Sequence, residues 1–205
     1  MGEIRIGYFL EDIAQEKFLT SLVERVAEER GLAVGCLRHD VRNATEGHGS
    51  ALTELGRFLR DVSRERESPF DVLVISIDSN CQGYTTKKRE VMDKIEAAGY
   101  PGSVACAIPD PHIERWYLAD LGGIRQALEA AVDFQAPSYK CEKDHYKQLL
   151  RDVIRQTGVV APLGGAEYGA NIARALNLYR VGKADSAFKH FCDELEEGLS
   201  HYMAR

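Results

Sequence analysis

Short apolar runs alternate with stretches of helical spacing through the first half of the chain. Ile4 to Leu10 is an apolar run of strand length, and Phe18, Leu19, Leu22, Val23 and Val26 then recur at three- and four-residue steps. That spacing puts one buried stripe on a helix, and Gly31 is placed to stop it. Leu32 to Leu37 reads as a second strand, followed by a loop marked by Asn43, Gly47, His48 and Gly49. Leu52, Leu55, Phe58, Leu59 and Val62 form the next helical stripe, which ends before Pro69.

Asp71 to Ile77 is apolar almost throughout, as a central strand covered on both faces requires. After a loop at Gly83, Val91, Met92 and Ile95 mark a third helix, closed by Gly99, Pro101 and Gly102. Ser103 to Ile108 is the fourth strand. Strands alternating with helices predict an α/β fold, a Rossmann-like parallel sheet of about four strands flanked by helices. From Pro111 onward the pattern is helical, with Asp110 as the cap and Pro111 in the first helical position. Later helices are expected over Lys143 to Arg155, Glu167 to Arg180 and Ser186 to Leu199. Ala161 to Gly165 is the linker signal among them. Residues 1–140 thus read as the sheet domain and 141–205 as a helical C-terminal extension packed on it.

Composition narrows the function. The 205 residues are 44% hydrophobic and 28% charged, an ordinary globular balance, and the formal net charge is −6. Proteins that coat phosphate backbones carry a basic surplus, so unspecific nucleic-acid coating is disfavoured. A local basic patch, or a metal bridging acids to phosphate, is compatible with that charge. Cys36, Cys81, Cys106, Cys141 and Cys192 are scattered, odd in number and without a C-x-x-C pair, against a disulfide framework or a zinc ribbon. Cys36 and Cys106 sit in apolar runs as small core residues. With no export signal and no stretch of membrane-span length, reduced thiols point to the cytoplasm.

In an open parallel sheet, ligands bind outside the carboxyl ends of the strands. Strand one ends at Glu11 and Asp12, strand two at His39 and Asp40, strand three at Asp78, Ser79 and Asn80, and strand four at Asp110 with Glu114 a turn later. Clustered carboxylates repel unless a cation or a proton lies between them. Hard oxygen ligands suit Mg²⁺ or Mn²⁺. Acids at strand ends also serve as helix caps, the ordinary role for Asp110 and Asp12. Glu11 and Asp78, at the ends of strands expected to be neighbours, carry the functional reading.

Three blocks carry a family resemblance. G-Y-F-L-E-D-I-A-Q-E-K-F-L, Gly7 to Leu19, looks like the first strand and helix of Toprim domains. D-V-L-V-I-S-I-D-S-N, Asp71 to Asn80, looks like their later strand with its D-x-D metal motif. I-P-D-P-H-I-E-R-W-Y-L-A-D, Ile108 to Asp120, is similar to the P-x-x-E-x-W-x-L-A-D signature of small Toprim-like proteins. Those proteins are related to the nuclease domains of overcoming-lysogenisation-defect (OLD) proteins. A-D-S-A-F-K-H-F, Ala184 to Phe191, also resembles the final helix of that group.

The resemblance implies a Toprim-like fold, Mg²⁺- or Mn²⁺-dependent phosphodiester hydrolysis, and anti-phage defence beside a separate ATPase. Glu11 would be the catalytic acid or base, and Asp78, Asn80 and Glu114 the metal positions. Asn80 departs from the family, replacing the second acid of D-x-D with an uncharged ligand; Asp12, Asp40, Asp110 and Asp120 are further acids to compensate. Nucleic acid is the implied substrate. An ATPase, or a second copy of the chain, is the protein partner to expect, and no membrane.

Smaller signals have plain readings beside them. Lys87, Lys88 and Arg89 follow the Asp78 loop and are candidates for substrate phosphates, or a solvated helix start. Tyr84 can stack on a base or pack. His39 can act as a base but ordinarily serves structure at a strand end; His112 adjoins Glu114 and can approach the site, with a surface position its ordinary reading. Cys81 has no neighbour in sequence to activate it. Trp116 and Tyr117 read as core or interface rather than substrate contacts. Gly164 and Gly165 form no phosphate loop, so ATP hydrolysis would fall to a partner. A receiver-like domain is the first rival, but it lacks the Lys-Pro and Met-Pro expected of that fold. The second is a degenerate Toprim-fold binding or sensor subunit of an ATPase complex, which Asn80 favours.

Overall fold

A computed structural model describes residues 2–45, 50–64, 69–158 and 160–203. The loop expected at Gly47, His48 and Gly49 lies outside them. The strands are β1 (Ile4–Leu10), β2 (Leu37–Asn43), β3 (Val72–Ser76) and β4 (Ser103–Ala107). They form one parallel sheet in the order β2-β1-β3-β4. Helices α1 (Glu16–Glu29), α2 (Ala51–Val62) and α3 (Tyr84–Ala98) alternate with them. The chain continues through α4 (Glu114–Tyr117), α5 (Leu121–Leu128), α6 (His145–Arg155), α7 (Gly169–Ala175), α8 (Leu178–Ala184) and α9 (Ser186–Met203). The fold is α/β, as the alternation predicts.

The inner strands are buried on both faces. Ile4, Ile6, Tyr8 and Leu10 of β1, with Val72 and Val74 of β3, join the core formed with α1 and the later helices. Phe9, Leu73 and Ile75 point the other way, onto Leu55, Leu59 and Val91 of α2 and α3. Both sets are lost from water, which explains the near-continuous apolar runs. At Gly7 an added Cβ would stand 2.4 Å from the Phe70 ring, so glycine lets that ring lie on the strand.

The segment after α5 departs from the helical expectation. Glu129 closes α5 in the left-handed conformation, and 130–144 runs as a strap without helix or strand. Arg125 Nε donates to the Val132 carbonyl at 2.8 Å, and the Tyr146 hydroxyl accepts from Lys140 N at 2.8 Å. Cys141 on the strap forms a disulfide with Cys81 in the loop after β3, across 60 residues. This corrects the expectation of reduced thiols throughout; scattered spacing carries no information about which cysteines meet in space.

The expected division after residue 140 falls in this strap. Tyr146, Leu150, Ile172, Phe188 and Leu195 beyond it share one core with Leu22 of α1 and Val74 of β3. The last helix, α9, also covers the sheet edge: Glu194 accepts from Cys106 N at 2.8 Å and from Lys88 Nζ at 2.6 Å. An unpaired edge is thereby protected.

Three further boundaries differ from the sequence reading. Strand two begins at Leu37, because Val34–Cys36 makes a 3₁₀ turn; Cys36 is therefore outside a strand. The Asp110–Pro111 peptide is cis and no helix starts there; α4 begins at Glu114. The helix expected over Glu167 to Arg180 is broken. Asn177 is extended, and its side chain accepts from Arg180 N at 2.8 Å as the N-cap of α8. Among the described residues, no helix is long and apolar enough to cross a membrane.

Candidate active site

The strand order reverses direction between β1 and β3, and that point positions the site. The chain leaves β1 towards β2 on one side and reaches β3 on the other, which opens a crevice beyond their carboxyl ends. Leu10 pairs with Ser76. Glu11 and Asp78 therefore emerge side by side from neighbouring strands. Glu11 N donates to the Ser76 carbonyl at 2.9 Å, and Glu11 Oε2 accepts from Asp78 N at 2.7 Å.

A cavity of about 310 Å³ lies over this pair. Glu11, Asp12, Gln15, Asp78, Asn80, Cys81, His112 and Glu114 line it, with Lys143, Asp144 and Lys147 on the α6 side. Asp78 is 7% exposed and Glu114 6%. Gln15 Nε2 donates to Asp78 Oδ1 at 3.0 Å, and His112 Nδ1 stands 3.3 Å from Asp78 Oδ2. Burial pushes the Asp78 carboxyl up to about 7; the His112 contact opposes this, and the charges of Glu114 and Glu11 add to it. Burial also raises Glu114, against the pull of Lys147, whose Nζ is 4.0 Å from Glu114 Oε1. The hydrogen bond to Asp78 raises His112 above the usual imidazole range.

The donor set suits a hard divalent cation. Glu114 Oε2 and Gln15 Oε1 are buried without a hydrogen-bond partner among the described residues. Buried orphan oxygens are costly unless something meets them, and a cation between the carboxylates would lower the repulsion that Asp78 feels. Among the described residues no three His, Cys, Asp or Glu side chains are grouped closely enough to hold a metal ion by themselves. The oxygens are spaced around an open cavity instead, compatible with a cation that keeps waters and takes part of its shell from substrate.

The remaining candidates separate cleanly. Asn80 lines the cavity, but its Nδ2 donates back to the Asp78 carbonyl at 3.3 Å, and it sits in the left-handed region at φ 48°. Asp12 lines the cavity while its Oδ1 accepts from Ala14 N at 2.9 Å, capping the 3₁₀ turn before α1. The other three acids are elsewhere. Asp40 is opposite Gly7 within β2, exposed beside Arg38, and β2 runs on to Asn43 before it ends. Asp110 accepts from Ser79 Oγ at 2.6 Å. Asp120 accepts from Asn177 N at 2.9 Å and Arg180 Nη1 at 2.8 Å, tying α5 to α8.

The basic run does not reach the cavity. Lys87 pairs with Glu90 at 2.8 Å, Lys88 with Glu194, and Arg89 is exposed on α3. Tyr84 stacks on His190 with ring centroids 5.4 Å apart, and Trp116 and Tyr117 are in the core. His39 is held by the Tyr8 hydroxyl at 2.8 Å on the far side of β1. His112, expected at the surface, is instead in the site, 3.3 Å from Asp78.

Gln15, Lys143 and Lys147 are cavity residues that the sequence reading missed. Gln15 stands four residues after Glu11, a usable signal. The two lysines are also four residues apart, but only the strap and the disulfide bring them across.

Compared with protein-family models, with curated proteins and with solved structures, the chain finds no match in any of the three.

Proposed function

We propose that this chain is a Toprim-type phosphodiesterase that cuts nucleic acid with Mg²⁺ or Mn²⁺, in anti-phage defence beside a separate ATPase. The observation that carries the reading is the convergence of Glu11, Asp78 and Glu114 on one cavity at the β1–β3 switch point. Asp78, Glu114 and the amide oxygen of Gln15 are the groups to hold the cation. A bound divalent cation polarises a phosphoryl oxygen and lowers the pKa of a water.

The protein's own groups do the rest. Glu11 faces the cavity as the proton acceptor, oriented by the Asp78 backbone amide. His112 steadies the Asp78 carboxylate. Lys143 and Lys147 offset phosphate charge from the opposite wall. The resemblance of Ile108 to Asp120 to the small Toprim-like proteins supports the same assignment, and a cytoplasmic setting belongs to it.

The test is cleavage of labelled DNA and RNA by the intact chain in Mn²⁺, Mg²⁺ or EDTA. Metal-dependent cleavage that is lost in Asp78→Asn and in Glu114→Gln is the expected outcome. Cleavage equal in wild type and both variants, or none in wild type with either metal, would remove the assignment.

A second reading has one observation in its favour. The side-chain amide of Asn80 is turned onto its own loop, so the position of the second motif acid serves the turn. A degenerate Toprim-fold binding or sensor subunit of an ATPase complex would keep the cavity without turnover. Co-purification of an ATPase with a chain that cleaves nothing would favour it.

A further inference from the structure

A second cavity, about 450 Å³, adjoins the acidic one and shares Asp12, Ala14, Glu114 and Lys147 with it. Its walls add Ile13, Lys17, Arg151 and Leu163. Ile13 is 71% exposed and Leu163 70%, large apolar side chains left at the mouth. Lys147 and Arg151 are one turn apart on α6, and Lys143 lies before the N-cap, Asp144. Lys143 lines the acidic cavity, Lys147 both, and Arg151 the second. A helical turn advances ~5.4 Å, comparable with one sugar–phosphate repeat.

Among the described residues Lys17, Lys143 and Arg151 make no ion pair, whereas Lys87, Lys88 and Lys189 are each paired with an acid. Of the four acids of the second cavity, Glu114 faces Lys147 at 4.0 Å and the other three are turned onto neutral donors. Asp12 accepts from Ala14 N, Glu16 from Asn43 Nδ2 at 3.1 Å, and Glu167 from Gly165 N at 3.0 Å. Lys17, Lys143 and Arg151 are thus uncommitted positive charge around Lys147, a local electrostatic footprint in a chain of net charge −6.

We propose that this second cavity is the binding track for a single polynucleotide strand beside the cleaved linkage. Lys147 and Arg151 take successive phosphates, and Ile13 and Leu163 receive the face of a base or sugar. The inference rests on the phosphodiesterase reading and names its substrate as a strand threaded singly. A duplex does not offer a bare base face to the apolar mouth.

Fluorescence anisotropy in EDTA tests it, with a short labelled single-stranded DNA, the same RNA sequence and the annealed DNA duplex. Arg151→Ala is compared with Arg155→Ala, which removes the same charge from the next turn. Arg155 pairs with Asp152 and lines neither cavity. Expected is single-strand binding weakened by about tenfold in Arg151→Ala, with the slope of log affinity against log salt reduced by ~0.7. Arg155→Ala keeps the wild-type values.

Equal effects of the two variants, tighter wild-type binding of the duplex, or no strand binding by wild type would each overturn the proposal. Mn²⁺ titration separates it from the catalytic reading. Arg151→Ala is expected to bind Mn²⁺ as wild type does. A wild type that binds the strand through Arg151 but takes up no Mn²⁺ would retain the track and lose the phosphodiesterase.

Discussion

Asp78 should make the metal-free fold lose stability as pH rises. Its carboxyl is raised from 3.8 to about 7 by burial, with Glu114 and Glu11 nearby. Between those two values the unfolded chain releases the proton and the native protein keeps it. Stability then falls with increasing pH by ~1.4 kcal/mol per unit, a ceiling of ~4 kcal/mol across the window. Below 3.8 and above 7 the group contributes no slope. Glu114 acts in the same sense above its usual range, since burial raises it too. His112 also adds to the fall: its stabilisation is present below its ordinary 6.5 and is lost as pH rises through its raised native value.

Asp78→Asn keeps an oxygen to accept from Gln15 Nε2 and removes the titration. The variant should match wild type below pH 3.8, exceed it by ~1.6 kcal/mol near pH 5 and by as much as ~4 kcal/mol near pH 8. Urea unfolding in EDTA measures this through the fluorescence of Trp116, the single tryptophan, which is fully buried. Mn²⁺ should flatten the wild-type profile, because a cation favours the ionised carboxylate. A metal-free wild type whose stability is flat or rises over this range, parallel to Asp78→Asn, would refute the reasoning.

The disulfide and one buried acid give two further outcomes. Reduction of Cys81–Cys141 opens a 60-residue loop, and chain entropy alone puts the loss at ~4 kcal/mol. Urea midpoints with and without dithiothreitol should separate accordingly, and coincident midpoints with the bond reduced would contradict the anchoring role given to it. Asp120→Ala removes the acceptor for Gly122 N, Asn177 N and Arg180. It should cost about 2 kcal/mol, since Arg180 is largely exposed, and leave Mn²⁺ affinity unchanged. A loss of metal binding by the folded variant would return Asp120 to the site.

Legibility in the sequence followed burial. Ile4 to Leu10 and Asp71 to Ile77 could be read because both faces of β1 and β3 are covered. The edge strand β2, L-R-H-D-V-R-N, alternates half-buried and exposed positions, and its polar composition let the apolar Leu32 to Leu37 stretch stand in for it. Glu11 and Asp78 were legible because strand ends in a parallel sheet have a known destination. Lys143 and Lys147 were not, because a strap of 130–144 carries them back to the cavity and no local pattern encodes that path. Conversely, Lys87, Lys88 and Arg89 follow the Asp78 loop in sequence, yet α3 leads them away, and Lys88 meets Glu194 more than a hundred residues on.

Calorimetric titration of Mn²⁺ into the wild type and Asp78→Ala tests the central claim most directly. Saturable binding to wild type that disappears in the folded variant is the predicted result. No binding to well-folded wild type, or equal binding to both, would contradict a cation site built on Asp78.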